Sequence, residues 1–481
     1  MRARYLTTTL PYVNADPHLG FALEVVQADV LARMWRLAGD EVFFSIGTDE
    51  HGQKILEAAQ KAGQEPHIFA DQYVTEYKKL KDALNLSTDT FIRTSDPAHI
   101  RAAQEMWRRC AAKGDIYKKA YTGLYCVGCE AFKTEHELNE QKHCQLHPNI
   151  ELQKVSEENY FFRFSNYQER LEKYLAQPNV IIPEWRRTEA QLFVKNGLED
   201  FSISREKKRL PWGIPVPGDE TQVMYVWFDA LTSYISALGW PSSANATEGE
   251  PDLFKKFWEE GTTFQVAGKD QVRFQSLMWQ AMLMSAGIKN TDTIFYHGFI
   301  TSGGQKMSKS LGNVINPLAL VEKYGSDAVR YVLLRHVSSV EDSDLTLEAI
   351  HDYYTAHLTN GLGNLVARVM KLAETYLPAS EIVKKGPYTP AVFEAVERFE
   401  FSTAMNEVWE QIQELDQGIT VDEPFKVVRA DLEAGRNLIA GRVVELQGIA
   451  EALEPFMPDT SKKIVDAIKT NKKPDNLFPR I

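Results

Sequence analysis

The chain has 481 residues, 44% hydrophobic and 25% charged, with a formal net charge of −12, the profile of a soluble globular protein with several domains. The acidic balance argues against indiscriminate nucleic-acid binding but leaves room for a local positive patch. No apolar run is long enough to span a membrane. Four cysteines are too few for a disulfide framework, no secretory leader pattern is seen, and a cytoplasmic location is expected.

Arg4-Tyr5-Leu6 predicts a first strand. It leads into residues 7–20, which carry Leu10, Tyr12 and His18-Leu19-Gly20-Phe21. Ala22, Leu23, Val25, Val26, Val30, Leu31, Met34 and Trp35 then recur at helical spacing up to Gly39. His18 therefore stands where a strand hands over to a helix, where backbone N–H groups and the positive end of the helix dipole favour phosphate. It can donate to a phosphate oxygen, and Gly20 allows close approach to the backbone; alternatively His18 only caps its own turn. Residues 41–47 fit a buried parallel strand that runs into Thr48-Asp49-Glu50-His51-Gly52. Polar groups there lie on the ligand-binding face of an α/β sheet. Asp49 suits an ammonium group and His51 a ribose or phosphate, unless Asp49 merely caps the next helix.

Past Gly114 the texture changes. Cys126-Val-Gly-Cys129 and Cys144-Gln-Leu-His147 are separated by fourteen residues. Two short chelating pairs suit a tetrahedral Zn²⁺, and Gly128 eases the first turn. Four protein ligands leave no open position, so the metal is expected to be structural; Cys110 falls outside the pattern and reads as core. Residues 157–163, 183–186, 202–205 and 212–217 read as strands and turns. Residues 223–230 read as an apolar strand ending at Asp229, with a helix bearing Tyr234 to follow. Ala267-Gly268-Lys269-Asp270 follows another apolar stretch, and the Asp270 carboxylate suits sugar hydroxyls.

Residues 301–310 form a small polar loop with Lys306 and Lys309 three apart. Two ammonium groups can clamp a triphosphate as diphosphate leaves; a plain solvated basic loop is the alternative. The remainder reads as helices: one marked by Leu358, Leu362, Leu365, Val369 and Leu372, one starting at Thr389-Pro390, one at Asp422-Glu-Pro424. An antiparallel bundle is the natural packing. Asn364 and Arg368 lie one turn apart and suit unstacked RNA bases; an ordinary polar helix surface is the alternative.

His18-Leu-Gly20 and Lys306-Met-Ser308-Lys309-Ser310 together resemble the two signatures of class I aminoacyl-tRNA synthetases. The second matches letter for letter; the first departs at Phe21, where the family usually has a second histidine. Gly47-Thr-Asp49-Glu-His-Gly52, the cysteine–histidine knuckle and Gly268-Lys-Asp270 resemble the methionyl branch, and motifs in family order cover essentially the whole chain. The resemblance implies an α/β fold: a split Rossmann-like catalytic domain (1–111 and 223–298), a connective insertion with the zinc knuckle (112–222), a lysine loop with connecting domain (299–351) and an α-helical anticodon-binding bundle (352–481). It implies activation of L-methionine with Mg²⁺·ATP and transfer to tRNA(Met).

The same resemblance distributes the residues. His18, Lys306 and Lys309 become catalytic. Leu10, Tyr12, Asp49, Trp227, Ala230, Leu231, Tyr234, Gln271 and Gln275 shape the amino-acid site, with Asp49 on the α-amino group. His18, Gly20, Phe21, Gly268, Asp270, Lys306, Ser308 and Lys309 bind ATP. Arg205 positions the reacting groups; Asn364, Arg368 and Phe425 meet the anticodon; Cys126, Cys129, Cys144 and His147 hold zinc. Gln271 and Gln275 stand where the family usually has an apolar residue and a histidine, and Phe425 where it has tryptophan. The chain ends just after the bundle, without the appended dimerisation module of some relatives, so a monomer is expected. Another class I synthetase, or a non-catalytic tRNA-binding paralogue, remains the alternative.

Overall fold

Short apolar runs separated by helices bury both of their faces most readily in a parallel sheet, and the first unit of the fold is built that way. The structure is a computed structural model that describes residues 1–129, 131–133, 135–145, 147–241, 252–307, 313–378 and 390–481. Strands β1 (Ala3–Thr8), β2 (Glu41–Thr48) and β3 (Thr90–Arg93) come first. The insertion supplies β4 (Ile116–Cys126), β5 (Ala131–Lys133), β6 (Gln153–Phe162), β7 (Ile181–Ile182), β8 (Phe201–Ser202), β9 (Ser204–Glu206), β10 (Pro215–Val216) and β11 (Asp219–Met224). Then follow β12 (Thr262–Gly268) and β13 (Thr293–His297).

The main sheet runs β3-β2-β1-β12-β13-β7. The pairs β1–β2, β2–β3, β1–β12 and β13–β7 are parallel. Strand β12 thus returns beside β1 after more than two hundred residues, and β7, from within the insertion, extends the sheet at its edge. The insertion builds a second sheet, β5-β4-β6-β8, and a third, β10-β11-β9.

The chain divides into two units by its internal contacts: Met1–Asp16, Gly39–Lys78 and Thr88–Tyr296 form one; Pro17–Ala38, Lys79–Ser87 and His297–Ile481 form the other. The helix Leu19–Leu37 therefore groups with the C-terminal half, although it lies inside the expected first catalytic segment.

Two local expectations change. Residues 223–230 are not one strand: β11 ends at Met224 and a helix starts at Val226. An apolar stretch buried on all sides has no alternation to separate strand from helix. The stretch 183–186, expected as strand or turn, is instead the start of the helix Glu184–Lys195; a further helix covers Gln168–Leu175.

The second unit is helical. A continuous helical run covers Leu347–Tyr376, with π-helical winding over Tyr354–Gly363. Helices Pro390–Glu397, Phe401–Asp422, Pro424–Ala430, Leu432–Leu453 and Pro458–Thr470 follow. Both proline-marked starts expected there are present.

At its centre Arg330 is fully buried. Its guanidinium lies 2.8 Å from Asp29 Oδ2 and donates to the carbonyls of Phe456, Leu84 and Pro455 at 2.6, 3.0 and 2.9 Å. Asp29 also accepts from Ser87 N and Oγ and from Arg33. Burial opposes ionisation of Asp29 most strongly, yet Arg330, Arg33 and Ser87 together hold its carboxyl below the usual range. Removing one partner of such a pair strands the other charge without water. Arg330→Ala should therefore cost about 3–5 kcal/mol in urea unfolding, whereas Arg330→Met with Asp29→Leu should cost less than the sum of the single changes. Additive losses would show that the two groups act independently.

Candidate functional site

The loop after β2 is fixed by one buried carboxylate. Glu50 is fully buried and accepts both a 2.7 Å bond from Arg93 Nε and a 2.7 Å bond from Arg93 Nη2. Thr48 Oγ1 and Ser95 Oγ complete its shell at 2.8 and 2.6 Å. Trp212 Nε1 donates to the Glu50 carbonyl. Asp49, 2% exposed, is thereby held beside the loop that follows β1: its N–H donates to Pro11 O at 3.0 Å and its carbonyl accepts from Val13 N at 3.3 Å. Tyr12 and Asp49 form a parallel bridge. Gly52, not Asp49, precedes the next helix, with φ at +104°. The capping alternative for Asp49 is therefore set aside.

His51 does not present itself to a ribose or phosphate. It is 5% exposed and its Nδ1 lies 2.6 Å from Asp229 Oδ2. The other Asp229 oxygen is 2.7 Å from His99 Nε2, and His99 Nδ1 is 2.8 Å from Ser236 Oγ. Asp229 is completely buried; desolvation resists its charge most, and the two histidines offset this and leave its carboxyl below the usual range. One carboxylate thus pins three elements: the 48–52 loop, the helix Pro97–Ala112 and the helix Val226–Ser236. Neither histidine belongs to a recognisable motif with Asp229, because the partners are far apart in the chain.

Helical winding from Val226 puts Trp227, Ala230, Leu231 and Tyr234 at i, i+3, i+4 and i+7, one face of one helix. Trp227 stacks on Phe274, with centroids 3.8 Å apart and planes 11° apart, and meets Tyr12 edge-on at 6.2 Å. Phe274 was not singled out from the sequence; nothing local marks it. Lys54 Nζ lies 4.3 Å from the Tyr12 ring, and Leu10 is half-buried. Residues Val272–Met278 wind as a π-helix, a distortion common at functional sites. Within it Gln275 is fully buried, and neither its amide nitrogen nor its oxygen has a hydrogen-bond partner. A buried carboxamide left unpaired is costly and points to a ligand group that completes it. Gln271 is half-buried and donates to Asp270 at 3.1 Å; Asp270 is exposed and Gly268 buried.

Cys126, Cys129, Cys144 and His147 converge as expected, with their four ligand atoms all within 4.8 Å of one another. Cys129 Sγ is 3.5 Å from Cys144 Sγ and 3.2 Å from His147 Nδ1; Cys126 Sγ is 3.9 Å from that nitrogen. Tetrahedral bonding to zinc requires ligand separations of roughly 3.5–3.8 Å, so the donor set fits the metal. Gly128 serves it in a way that spacing alone does not reveal: a Cβ there would lie 2.5 Å from the His147 ring. The knuckle also reaches the stacked pair, since Trp227 Nε1 lies 3.3 Å from the Cys129 carbonyl. Arg205, 6% exposed, donates from Nη1 to Ser202 Oγ and Ser204 O and lies over the rings of Tyr125, Phe132 and Tyr225. Cys110 is core.

The second unit holds the other expected residues. His18 is the N-cap of the helix Leu19–Leu37, its Nδ1 accepting from Phe21 N at 3.3 Å. That bond places the proton of the neutral ring on Nε2, the nitrogen able to donate. The capping and phosphate-donor roles are thus compatible. The Cα hydrogen of Gly20 faces the His18 ring, which an added Cβ would approach to 3.1 Å. Phe21 is buried. Of Lys306 only the backbone is described, in the short strand Gln305–Lys306; Ser308 and Lys309 lie outside the described residues. Asn364 is exposed at the start of Asn364–Tyr376, one turn before Arg368, which pairs with Asp416 at 2.6 Å. Phe425 is 38% exposed.

The chain matches the family of tRNA synthetases class I (M) over residues 4–149 and 139–370. It is 36% identical to the methionine–tRNA ligase of Thermotoga maritima over 98% of this chain and 76% of that protein. It is 45% identical to that of Thermosynechococcus vestitus over 77% of this chain and 69% of that one. Among solved structures, Mycobacterium tuberculosis methionyl-tRNA synthetase in complex with methionyl-adenylate superposes with a TM-score of 0.88 at 34% identity, covering 100% of this chain and 99% of that one.

Asp229 generates a prediction with a definite sign. A carboxyl whose folded pKa is depressed stabilises fully above its ordinary pKa, about 3.9, and the gain disappears as pH falls through the lowered value. Asp229→Ala should cost about 3–5 kcal/mol in urea unfolding at pH 7, with the gap to the native chain closing below about pH 4. A variant as stable as the native chain at pH 7 would show the carboxylate to be dispensable.

Proposed function

Because this chain belongs to the methionine branch of the class I tRNA synthetases, we propose that it activates L-methionine with ATP and transfers the methionyl group to tRNA(Met). The methionine carboxylate attacks the α-phosphorus, diphosphate leaves, and the terminal ribose hydroxyl of tRNA then displaces AMP from the adenylate. The observation that carries methionine as substrate is the buried, unpaired Gln275 amide on the segment whose Phe274 stacks on Trp227.

Asp49 holds the α-ammonium group. Leu10, Tyr12, Trp227, Ala230, Leu231, Tyr234 and Gln271 shape the side-chain cavity. The Gln275 amide N–H donates to the thioether, a weak acceptor, without the titration near neutral pH that a histidine would bring. The ATP phosphates meet the helix start at Gly20 and Phe21 and the side chains of His18, Lys306, Ser308 and Lys309; Gly268 and Asp270 meet the ribose. Mg²⁺ accompanies ATP. His18 and Lys309 stabilise charge that builds on the phosphates during attack. No protein nucleophile is needed.

Asn364, Arg368 and Phe425 form the anticodon contact. The Arg368–Asp416 pair is half-exposed, and such pairs cost little to exchange for an RNA group. One chain supplies every residue named, so a monomer suffices, and tRNA charging fits the cytoplasm. Cys126, Cys129, Cys144 and His147 hold a structural zinc, which supplies folding stability and no reactive position.

Three measurements check these assignments. Methionine should support pyrophosphate exchange into ATP better than leucine, isoleucine, valine, cysteine or norleucine; another winner would overturn the substrate. Gln275→Leu should lower kcat/KM for methionine roughly three- to tenfold more than for norleucine, the worth of one hydrogen bond; equal losses would mean that Gln275 does not read sulfur. The purified chain should carry about one zinc ion, and Cys129→Ser should lose it together with thermal stability. Metal-free protein with unaltered melting would exclude a structural zinc.

A further inference from the structure

A second buried glutamine stands five residues past Gln275, and adenylation does not account for it. Gln280 is fully buried, and its carboxamide is saturated. Nε2 donates to Gln275 O at 3.0 Å and to Thr291 Oγ1 at 3.1 Å; Oε1 accepts from Asn290 Nδ2 and from Thr291 N, both at 3.0 Å. Two N–H donors and two lone pairs are all that such a group has. The links continue outward. Asn290 Nδ2 also reaches Gln280 O at 3.0 Å, and Thr291 Oγ1 donates to Gln265 Oε1 on β12 at 3.2 Å. Gln280 thus ties the backbone carbonyl of Gln275 to the turn before β13 and to an interior strand of the main sheet.

The position matters because of the winding there. Trp279 N donates to Phe274 O, five residues back, where an α-helix would bond four back. The winding decides which side chains share a face, and so it sets where Phe274 and Gln275 point. Phe274 comes to stack on Trp227; the Gln275 amide is left buried and, among the described residues, unpaired. A π-turn is rare and persists where bonds outside the helix ladder hold it. One such bond joins Ser276 Oγ and Tyr296 Oη, 2.6 Å apart. Another runs from Gln280 to the carbonyl of Gln275 itself. No local spacing marks Gln280 for this task, because Asn290 and Thr291, which hold it in turn, lie ten and eleven residues on.

We propose that Gln280 is a positioning residue for the amino-acid site: by holding the Gln275 carbonyl it fixes the turn that aims the Gln275 amide at the methionine sulfur. It acts through Gln275 and not on the substrate, and the proposal rests on the reading of Gln275 given above. The two carboxamides divide the task. The saturated one orients, and the unsaturated one is kept open for a ligand. Hydrogen bonds weaken steeply with misalignment, and a thioether is a weak acceptor to begin with. A preference for sulfur over a methylene that rests on one such bond therefore depends on how firmly the donor is held.

The test is a double-variant cycle in pyrophosphate exchange, with methionine and with norleucine, for Gln275→Leu, Gln280→Met and the two combined. The change at 280 keeps the volume of the side chain and removes its hydrogen bonds. Gln280→Met should lower the methionine-to-norleucine ratio of kcat/KM about threefold or more. The combined variant should have the ratio of Gln275→Leu alone, because the change at 280 acts only through 275. Thr291→Val, which takes one partner from Gln280 and keeps the volume, should lower the ratio by less, and it replaces Gln280→Met should that variant fail to fold. A native ratio in folded Gln280→Met, or in Thr291→Val where it is the replacement, would overturn the proposal, as would losses that multiply in the combined variant. A native ratio in Gln275→Leu would instead overturn the sulfur-reading assignment on which the proposal rests.

Discussion

Much of the candidate site hangs on the buried carboxylate of Asp229. Taken out of water, it is tolerable only because both of its oxygens accept hydrogen bonds, at 2.6 Å from His51 and 2.7 Å from His99. Those two bonds hold the helix that carries Trp227, Ala230, Leu231 and Tyr234 against the loop that carries Asp49. Glu50 does the same for the other side of the loop through Arg93 and Trp212. The group proposed to meet the substrate ammonium and the face proposed to meet its side chain are therefore positioned by one connected polar network. Such networks are stable only when every member is satisfied. The buried Gln275 amide, which has no hydrogen-bond partner among the described residues, stands out for that reason.

The insertion is tied into this arrangement rather than appended to it. Its strand β7 extends the main sheet, its cysteine–histidine knuckle meets the indole of Trp227 through the Cys129 carbonyl, and Arg273 on the π-helical segment pairs with Glu137 of the knuckle. A metal that orders the knuckle would thus also order one wall of the amino-acid site, without any open coordination position. The second unit follows the same physical rule with a different pair. Arg330 and Asp29 are both fully buried, and their remaining hydrogen-bonding capacity is taken up by Leu84 O and Ser87 from one segment, by Pro455 O and Phe456 O from another, and by Arg33. A surface ion pair would be worth little; here burial makes the pair a condition for packing those segments at all.

Where residues of one role are close in sequence, the sequence alone determined the outcome. The C-x2-C and C-x2-H pairs converge, the 41–47 run is a buried strand followed by an anchored loop, and the helix after His18 begins with His18 as its cap. The methionyl-synthetase family was likewise legible, because its motifs are short and ordered. Local spacing and local hydrogen bonding suffice for such features. The stretch 223–230 could not be settled this way, since a run buried on all sides carries no periodicity, and only packing made it the start of a helix.

Tertiary structure alone decided which distant groups meet. His51 read from the sequence as a ligand-binding histidine, yet it is occupied by Asp229, a partner 178 residues away. Gly128 read as a turn residue, yet its missing Cβ is the space that the His147 ring takes. Phe274 acquired a role only when it stacked on Trp227. The aromatic pairs on the insertion's sheet arose from cross-strand register, which sets Tyr117 opposite Phe161 and Tyr125 opposite Phe132. Register and long-range ion pairing depend on how whole elements dock, and no window of sequence contains both partners.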